Sequence, residues 1–197
     1  SLFAAPAFRD GMTGFETLGR PIGNILVAEP GDEELADRFL DTWSARCPWL
    51  YRLTAAEIRG RVPAIDGPIS KGVMDDGGYA LEVHNLLDGH RRRLIERGGS
   101  VVTNARVAAA EAHGEGWRVT LEDGRAFDAD IVVNAAGAWA DEVARLAGAA
   151  PIGLEPKRRT GVLVDPGCAI ADWPMIHVAS GDLYFKPEGN MLMVSPA

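Results

Sequence analysis

A junction between an apolar run and a helical pattern constrains the fold more than any other feature of this sequence. The run Asp130–Asn134 predicts a buried strand, and Trp139–Leu146 predicts a helix that ends at Gly148. Four small residues, Ala135–Ala138, form the turn between them. Small residues let a backbone approach a ligand closely, and the N–H groups that begin a helix favour an anion such as a pyrophosphate. The junction therefore predicts a strand–turn–helix unit, which α/β proteins use with and without a ligand.

The first third of the chain predicts strands that alternate with helices. A strand over 22–28 is followed by a helix that begins near Asp32 and carries an apolar stripe every fourth residue. The stripe consists of Leu35, Phe39, Trp43 and Cys47. Cys47 is therefore expected in the core rather than as a nucleophile. Thr54 followed by Glu57 predicts the capped start of a second, shorter helix that ends before Pro63.

The middle of the chain predicts two more strands, over 69–74 and 78–83, and a helix over about 84–97. That helix should turn three apolar side chains inward and end at the Gly98–Gly99 pair. The three are Leu87, Leu94 and Ile95. A short strand over 100–103 and two consecutive hairpin turns, at 113–116 and 122–125, come next.

The remaining chain predicts strands over 154–165, 175–178, 183–186 and 191–194. The expected fold class is α+β, with a mixed or antiparallel sheet flanked by helices. The last strand has almost no chain after it, and the first residue is not Met. We therefore expect an internal piece of a longer protein.

Composition and spacing exclude several classes of function. The net charge of −8 argues against nucleic acid, because phosphate binding needs a basic surface. No apolar run approaches the ~20 residues that span a bilayer, and the N-terminus lacks the basic region of a signal peptide. Two cysteines favour a reducing cytoplasm. The four histidines show no zinc-ligand spacing, so we expect no metal site.

Several segments in order resemble one family. Val132–Trp139 reads VVNAAGAW, which is similar to an element of the D-amino-acid-oxidase-like flavoproteins, a family that includes glycine oxidase, sarcosine oxidase and D-amino acid dehydrogenase. Further matching segments are Asn24–Ala28 before an acidic helix, Leu53–Ile58 with Pro63, Leu81–Leu87, Asn104–Val107, Pro156–Arg159 and Leu183–Pro187. The resemblance covers nearly the whole chain.

The resemblance implies a domain order and a cofactor, FAD. Residues 1–82 and 149–197 would be two pieces of a substrate-binding domain, and residues 83–148 would be part of an FAD-binding α/β domain. Val107 would contact adenine through its backbone, and the dinucleotide would lie along Ala135, Ala136 and Gly137 with Trp139 packed beside it. From the residues alone, Val107 also fits a core strand position and Trp139 a hydrophobic anchor.

The resemblance also implies residues on the substrate side. Tyr184 would bind the substrate from the sheet above the flavin, and Lys186 lies two residues away on the same face. His177 is expected on the same or a neighbouring strand, and Arg158 with Arg159 either binds an anion or is an edge charge. A histidine or lysine on a strand is usually only solvated, which leaves both readings open. No catalytic acid or base is identified.

One part of the family pattern is absent from the sequence. The G-x-G-x-x-G fingerprint that contacts a pyrophosphate does not occur, since Gly114-Glu115-Gly116 has no glycine three residues further on. We therefore expect this chain to contribute to a flavin site without completing one, so the isolated chain should be inactive and without FAD. Sheets that lack some of their strands should also expose edges through which the chain associates with itself.

The implied reaction is oxidation of a small amino acid or secondary amine, with hydride transfer to the flavin and formation of an imine. Two alternatives stay open. A 2-hydroxy-acid or glycerol-phosphate dehydrogenase would use the same fold. A non-catalytic module that binds a small acid or a partner would explain the absent fingerprint.

Overall fold

The computed structural model describes residues 18–196, which form two compact units. Unit 1 contains the described residues up to Arg97 and from Arg159 onward, and unit 2 is Gly98–Arg158. The first 17 residues of the predicted substrate-binding domain lie outside the described residues. The prediction that the N-terminus is not a signal peptide concerns the same residues. The domain boundaries at 82/83 and 148/149 stay a prediction.

Unit 1 is built around a mixed sheet. Its elements are β1 (Gly19–Pro21), β2 (Asn24–Ala28), α1 (Glu33–Trp43), β3 (Leu50–Thr54), α2 (Ala55–Arg61), β4 (Lys71–Asp75), β5 (Tyr79–Leu81), α3 (Val83–Glu96), β9 (Val162–Val164), β10 (Met175–Val178), β11 (Leu183–Glu188) and β12 (Met191–Pro196). Seven strands lie in the order β3-β4-β2-β10-β11-β12-β9, and β1 pairs separately with β5. Only the β2–β10 pairing in the seven-stranded sheet is parallel. The predicted α+β class is confirmed.

The main core covers one face of this sheet. Ile25 and Ile176 lie side by side on the paired strands β2 and β10, and both are buried. Helix α2 packs on this face through Ile58, and Val62 directly after the helix joins it; both are fully buried. The predicted cap of α2 is confirmed, because the Thr54 hydroxyl accepts the Glu57 N–H while the Glu57 carboxylate accepts the Thr54 N–H.

Helix α1 covers part of the opposite face with a different stripe from the predicted one. Ala36 is buried, and Phe39 and Leu40 pack with it against Val73 and Leu26 of the sheet. Trp43 is exposed, and Cys47 lies beyond the end of the helix. The prediction was wrong at its far end because a four-residue step drifts around a helix of 3.6 residues per turn. Asp32 begins the helix without a side-chain cap hydrogen bond.

The apolar side chains of α3 are not buried as predicted. Leu87, Leu94 and Ile95 are exposed, and Gly89 is the buried residue of the helix. No element among residues 18–196 covers this apolar face. The predicted end of the helix is correct, since Gly98 has a φ of 84°, which is the left-handed conformation that a glycine C-cap adopts.

Unit 2 contains an antiparallel sheet and a short helix. Strands β6 (Val107–His113), β7 (Gly116–Leu121) and β8 (Ala126–Ala129) pair in sequence order, which confirms both predicted hairpins. A 3₁₀ turn over Gly137–Trp139 leads into α4 (Ala140–Leu146), which packs against β6. Helix α4 ends before Gly148, whose φ is 70°.

The strand predicted over Asp130–Asn134 is not formed. Ile131 and Val133 are 78% and 80% exposed, and no strand among residues 18–196 pairs with this segment. A buried strand requires a neighbour for its backbone N–H and C=O groups, so an apolar run alone does not make one. The same holds for residues 100–103, and within 154–165 only β9 is a strand.

Asp141 holds the chain that follows α4 against the first turn of that helix. Its carboxylate accepts the backbone N–H groups of Ile152, Gly153 and Leu154 at 2.9–3.0 Å. These hydrogen bonds, that from Ile152 most of all, favour the ionised form and lower the pKa of Asp141 below its ordinary value of 3.8. In the described part of the chain, no helix has the length and apolar character needed to cross a bilayer.

Replacing Ile58 with Ala should lower the free energy of unfolding by about 2–5 kcal/mol, because the change leaves a cavity in the main core. Ile95→Ala is the matched control, since Ile95 lies in the same unit and is 48% exposed. It should change the free energy by only about 0.5 kcal/mol. Urea unfolding followed by circular dichroism measures both, and equal losses would contradict this description of the core.

Protonation of Asp141 should release residues 152–154. Because the folded pKa of Asp141 lies below the ordinary value, its three hydrogen bonds to residues 152–154 are complete above pH 3.8. They are lost as the pH falls through the lowered pKa. The amide proton shifts of Ile152, Gly153 and Leu154 should follow this titration in NMR spectra. Asp141→Ala should abolish it, whereas Glu142→Gln, which removes the neighbouring charge, should leave it intact. A titration of these amide shifts that persists in Asp141→Ala would contradict the assignment of the titration to the Asp141 carboxyl group.

Candidate cofactor and substrate sites

The turn before α4 depends on a glycine. Gly137 has a φ of 55°, in the left-handed region where side chains with a Cβ are strained. A Cβ built on Gly137 would meet no atom within 4 Å, so the space in front of this turn is open. Backbone conformation, rather than close packing, therefore requires glycine here.

The side chain of Asn134 bridges this turn. Its Oδ1 accepts the Ala136 N–H at 3.2 Å, and its Nδ2 donates to the Ala140 carbonyl at 2.8 Å. Within the turn, the Trp139 N–H donates to the Ala136 carbonyl at 3.1 Å. Asn134 was read from the sequence only as the end of a strand. An Asn two residues before a backbone N–H in a small-residue turn is the signal that could have identified it.

A cleft of about 820 Å³ lies within unit 2, between the start of β6 and helix α4. This volume is in the range of small-molecule sites, roughly 300–1,000 Å³. Its lining consists of Arg106, Val107, Ala108, Glu122, Trp139, Glu142, Val143, Arg145 and Leu146. The interior is thus mainly apolar, with two basic and two acidic side chains among the lining residues.

Strand β6 is irregular where it borders the cleft. The pairing with β7 shifts register between Val107 and Ala109, so Ala108 interrupts the ladder. Such a bulge disrupts the ladder locally and bends the strand. Arg106 Nε lies 3.3 Å from Glu122 Oε1, which holds these two charges together beside the cleft.

The predicted cofactor residues are only partly brought together. Val107 and Trp139 line the same cleft, although they are separated by more than thirty residues in sequence. Trp139 is 65% exposed in the described part of the chain, and its role beside the dinucleotide stays a prediction. Ala135, Ala136 and Gly137 belong to the adjoining turn and are not among the lining residues.

The three predicted substrate residues lie on one face of the seven-stranded sheet. His177 on β10 is the direct partner of Tyr184 on β11. Their rings are stacked, with centroids 5.4 Å apart and planes 22° from parallel. Burial lowers the pKa of His177 below its ordinary value of 6.5, so the imidazole is mainly neutral at pH 7.

Lys186 follows two residues after Tyr184 and carries a positive charge on this face. Its ammonium group donates to the Glu188 carboxylate, and its side chain is 27% exposed. Met175 and Met193 flank it on the neighbouring strands, since Met193 pairs with Lys186 directly and Met175 precedes the Ile176 that pairs with Phe185. The Lys186 ammonium is thus held by the Glu188 carboxylate in a half-buried position on this face. Arg158 and Arg159 are exposed and belong to no strand or helix.

Two further side-chain features bear on chemistry. Among residues 18–196, no three His, Cys, Asp or Glu side chains are arranged to hold a metal ion. Ser195 is the direct partner of Tyr184 on β12 and is 1% exposed, which sequence reasoning missed. Its position in an alternating strand could have indicated a buried hydroxyl beside Tyr184.

Many solved structures share the fold, among them three oxidases. An iminodiacetate oxidase from Chelativorans sp. BNC1 has 20% identity and a TM-score of 0.75, covering 96% of this chain and 52% of that one. A glycine oxidase from Geobacillus kaustophilus has 19% identity and a TM-score of 0.74, covering 98% of this chain and 52% of that one. An L-α-glycerophosphate oxidase from Mycoplasma pneumoniae with FAD bound has 18% identity and a TM-score of 0.73, covering 91% of this chain and 50% of that one. The chain therefore spans about half the length of the proteins whose structures it matches.

A family model extends the comparison to the sequence itself. The model described as FAD dependent oxidoreductase matches residues 6–197, which is nearly the whole chain. The match agrees with the resemblance carried by Val132–Trp139 and the segments around it. The chain belongs to the DAO family of FAD-dependent oxidoreductases.

Proposed function

We propose that the protein to which this chain belongs oxidises a small amino acid or secondary amine with FAD. The observation that carries this proposal is the group of His177, Tyr184 and Lys186 on one sheet face. In a family of FAD-dependent oxidoreductases, a fixed cation beside a phenol and a neutral imidazole suits a substrate that carries a carboxylate.

On the cofactor side, Val107 would contact adenine through its backbone and Trp139 would pack beside the ring. Ala135, Ala136 and Gly137 would lie along the rest of the dinucleotide. The cleft supports this assignment by its volume, its apolar walls and the bulge at Ala108. The chemistry that FAD supplies when bound is acceptance of a hydride from the carbon beside the amine, which leaves an imine.

On the substrate side, each residue has a separate task. Lys186 would bind the carboxylate, because its ammonium is held by Glu188 in a half-buried position. The Tyr184 hydroxyl would donate a hydrogen bond to the substrate. The His177 ring would fix Tyr184 by stacking, since the two rings are in contact and the imidazole is mainly neutral at pH 7.

Two alternatives have observations in their favour. An oxidoreductase of 2-hydroxy acids or glycerol phosphate would also use Lys186 for its anion, and a glycerophosphate oxidase is among the proteins that share the fold. A non-catalytic binding module is favoured by the absence of a G-x-G-x-x-G sequence from these 197 residues. The cytoplasmic location, the lack of binding to nucleic acid and self-association through exposed sheet edges remain proposals of the same kind.

The complete gene product should bind FAD and be yellow, whereas the 197-residue chain purified alone should be colourless because it lacks the pyrophosphate fingerprint. Trp139→Ala in the complete protein should weaken FAD binding about tenfold, since stacking on an aromatic ring is worth roughly 1–3 kcal/mol per base. Titration of the apoprotein with FAD, followed by flavin absorbance and fluorescence, measures both.

Trp43→Ala is the matched control for this titration. Trp43 is also an exposed tryptophan, 42% accessible, but it lies on α1 in unit 1. Its replacement should leave the dissociation constant within about twofold. Flavin bands in the isolated chain would contradict the expected incomplete site, and equal effects of the two substitutions would contradict the role of Trp139.

A turnover screen of the complete protein tests the substrate class. Glycine, sarcosine, proline and iminodiacetate represent amines, and lactate and glycerol 3-phosphate represent the alternative. We expect turnover of amines only. Lys186→Met should raise KM about tenfold or more with a smaller change in kcat, because a hydrogen bond to a charged group is worth roughly 1.5–3 kcal/mol.

Lys157→Met is the control for the charge change. Lys157 is 77% exposed and pairs with Glu155 just as Lys186 pairs with Glu188 two residues away. It should leave KM unchanged. Turnover of hydroxy acids without amines would replace the proposed substrate class, and a protein that binds FAD without oxidising either class would favour the binding module.

A further inference from the structure

The wall of the cleft that carries Trp139 lacks its usual local support. Neither Ala136, which precedes the 3₁₀ turn, nor Trp139, which precedes α4, makes a side-chain cap hydrogen bond. Gly137 lies between them and loses more conformational freedom on ordering than any other residue type. A turn built in this way needs a restraint from outside itself.

Asn134 provides that restraint at both ends of the turn. Its Oδ1 fixes the N–H of Ala136, and its Nδ2 fixes the carbonyl of Ala140. The two bonded groups lie on either side of Gly137 and Trp139, so one planar amide spans the whole turn. A serine or alanine here would be too short to reach both groups at once.

We propose that Asn134 is a positioning residue that acts through Trp139, holding this side chain in the orientation that forms one wall of the cleft. The proposal rests on the proposed function, in which Trp139 packs beside the dinucleotide. Asn134 itself does not line the cleft. Its contribution to FAD affinity should therefore disappear when the Trp139 side chain is removed.

A double-mutant cycle in the complete protein tests this dependence, with FAD binding to the apoprotein as the readout. Asn134→Ala should raise the dissociation constant about fivefold, the effect expected for loss of one or two ordinary hydrogen bonds. In a Trp139→Ala background the same change should add less than about twofold, because the two residues act as a unit. Asn190→Ala, a change of the same kind between β11 and β12, should stay within about twofold.

Hydrogen exchange of the apoprotein gives a readout that does not involve FAD. The peptide that covers residues 135–140 should exchange faster in Asn134→Ala, while the thermal midpoint stays near that of the unaltered protein. If Asn134→Ala does not fold, Asn134→Ser retains an acceptor for the Ala136 N–H and loses the reach to Ala140, and it should give a smaller effect of the same pattern.

The outcomes separate this proposal from the one on which it rests. An Asn134→Ala protein that binds FAD as the unaltered protein does would overturn the positioning role while leaving the cofactor assignment intact. If the fold-changes in the FAD dissociation constant from the two substitutions multiply in the double mutant, the positioning role is overturned as well. Asn134 would then act independently of Trp139. An unaltered complete protein that does not bind FAD would overturn the proposed function and the positioning role together.

Discussion

The parallel pairing of β2 with β10 is the contact on which unit 1 depends. It joins strands from the beginning and the end of the described chain and places Ile25 beside Ile176 in the main core. The same register aligns Leu26 with His177 on the opposite face. Since side chains alternate across a strand, a shift of one residue would exchange these two faces. The core therefore fixes the position of His177, and through β11 that of Tyr184.

Closing this sheet requires the chain to return after all of unit 2 has been passed. The entropic cost of such a closure grows slowly, by about 0.6 kcal/mol for each doubling of loop length. A single buried Ile or Leu side chain offsets more than that, at roughly 1.5–3 kcal/mol. The described sheet buries several such residues on both sides of the pairing, among them Ile25, Val27 and Ile176. Burial of these side chains thus offsets the entropic cost of pairing β2 with β10. Unit 2 can form its own sheet without using the strands of unit 1.

Local signals in the sequence predicted what local interactions determine. The capping box of Thr54 and Glu57, the two hairpins of unit 2 and the glycine end of α3 each depend on a few neighbouring residues, and each was predicted. The seven-stranded order and the stacking of His177 on Tyr184 depend on pairings between distant segments. No periodicity within one strand specifies its neighbour, so these could not be derived from the sequence.

The errors have a different physical origin, which also explains why Asn134 was not predicted as part of the turn before α4. An apolar pattern indicates that burial of its side chains is favourable, but it does not indicate which surface buries them. This applies to residues 131–133 and to the face of α3 that was predicted to point inward. Small residues report where a backbone is free to turn, but not what holds it. Gly137 is therefore predictable from the sequence and Asn134 is not, although the two residues contribute to one turn. A flexible residue at a ligand site requires a restraint in its neighbourhood, and a short amide side chain is the group to seek there.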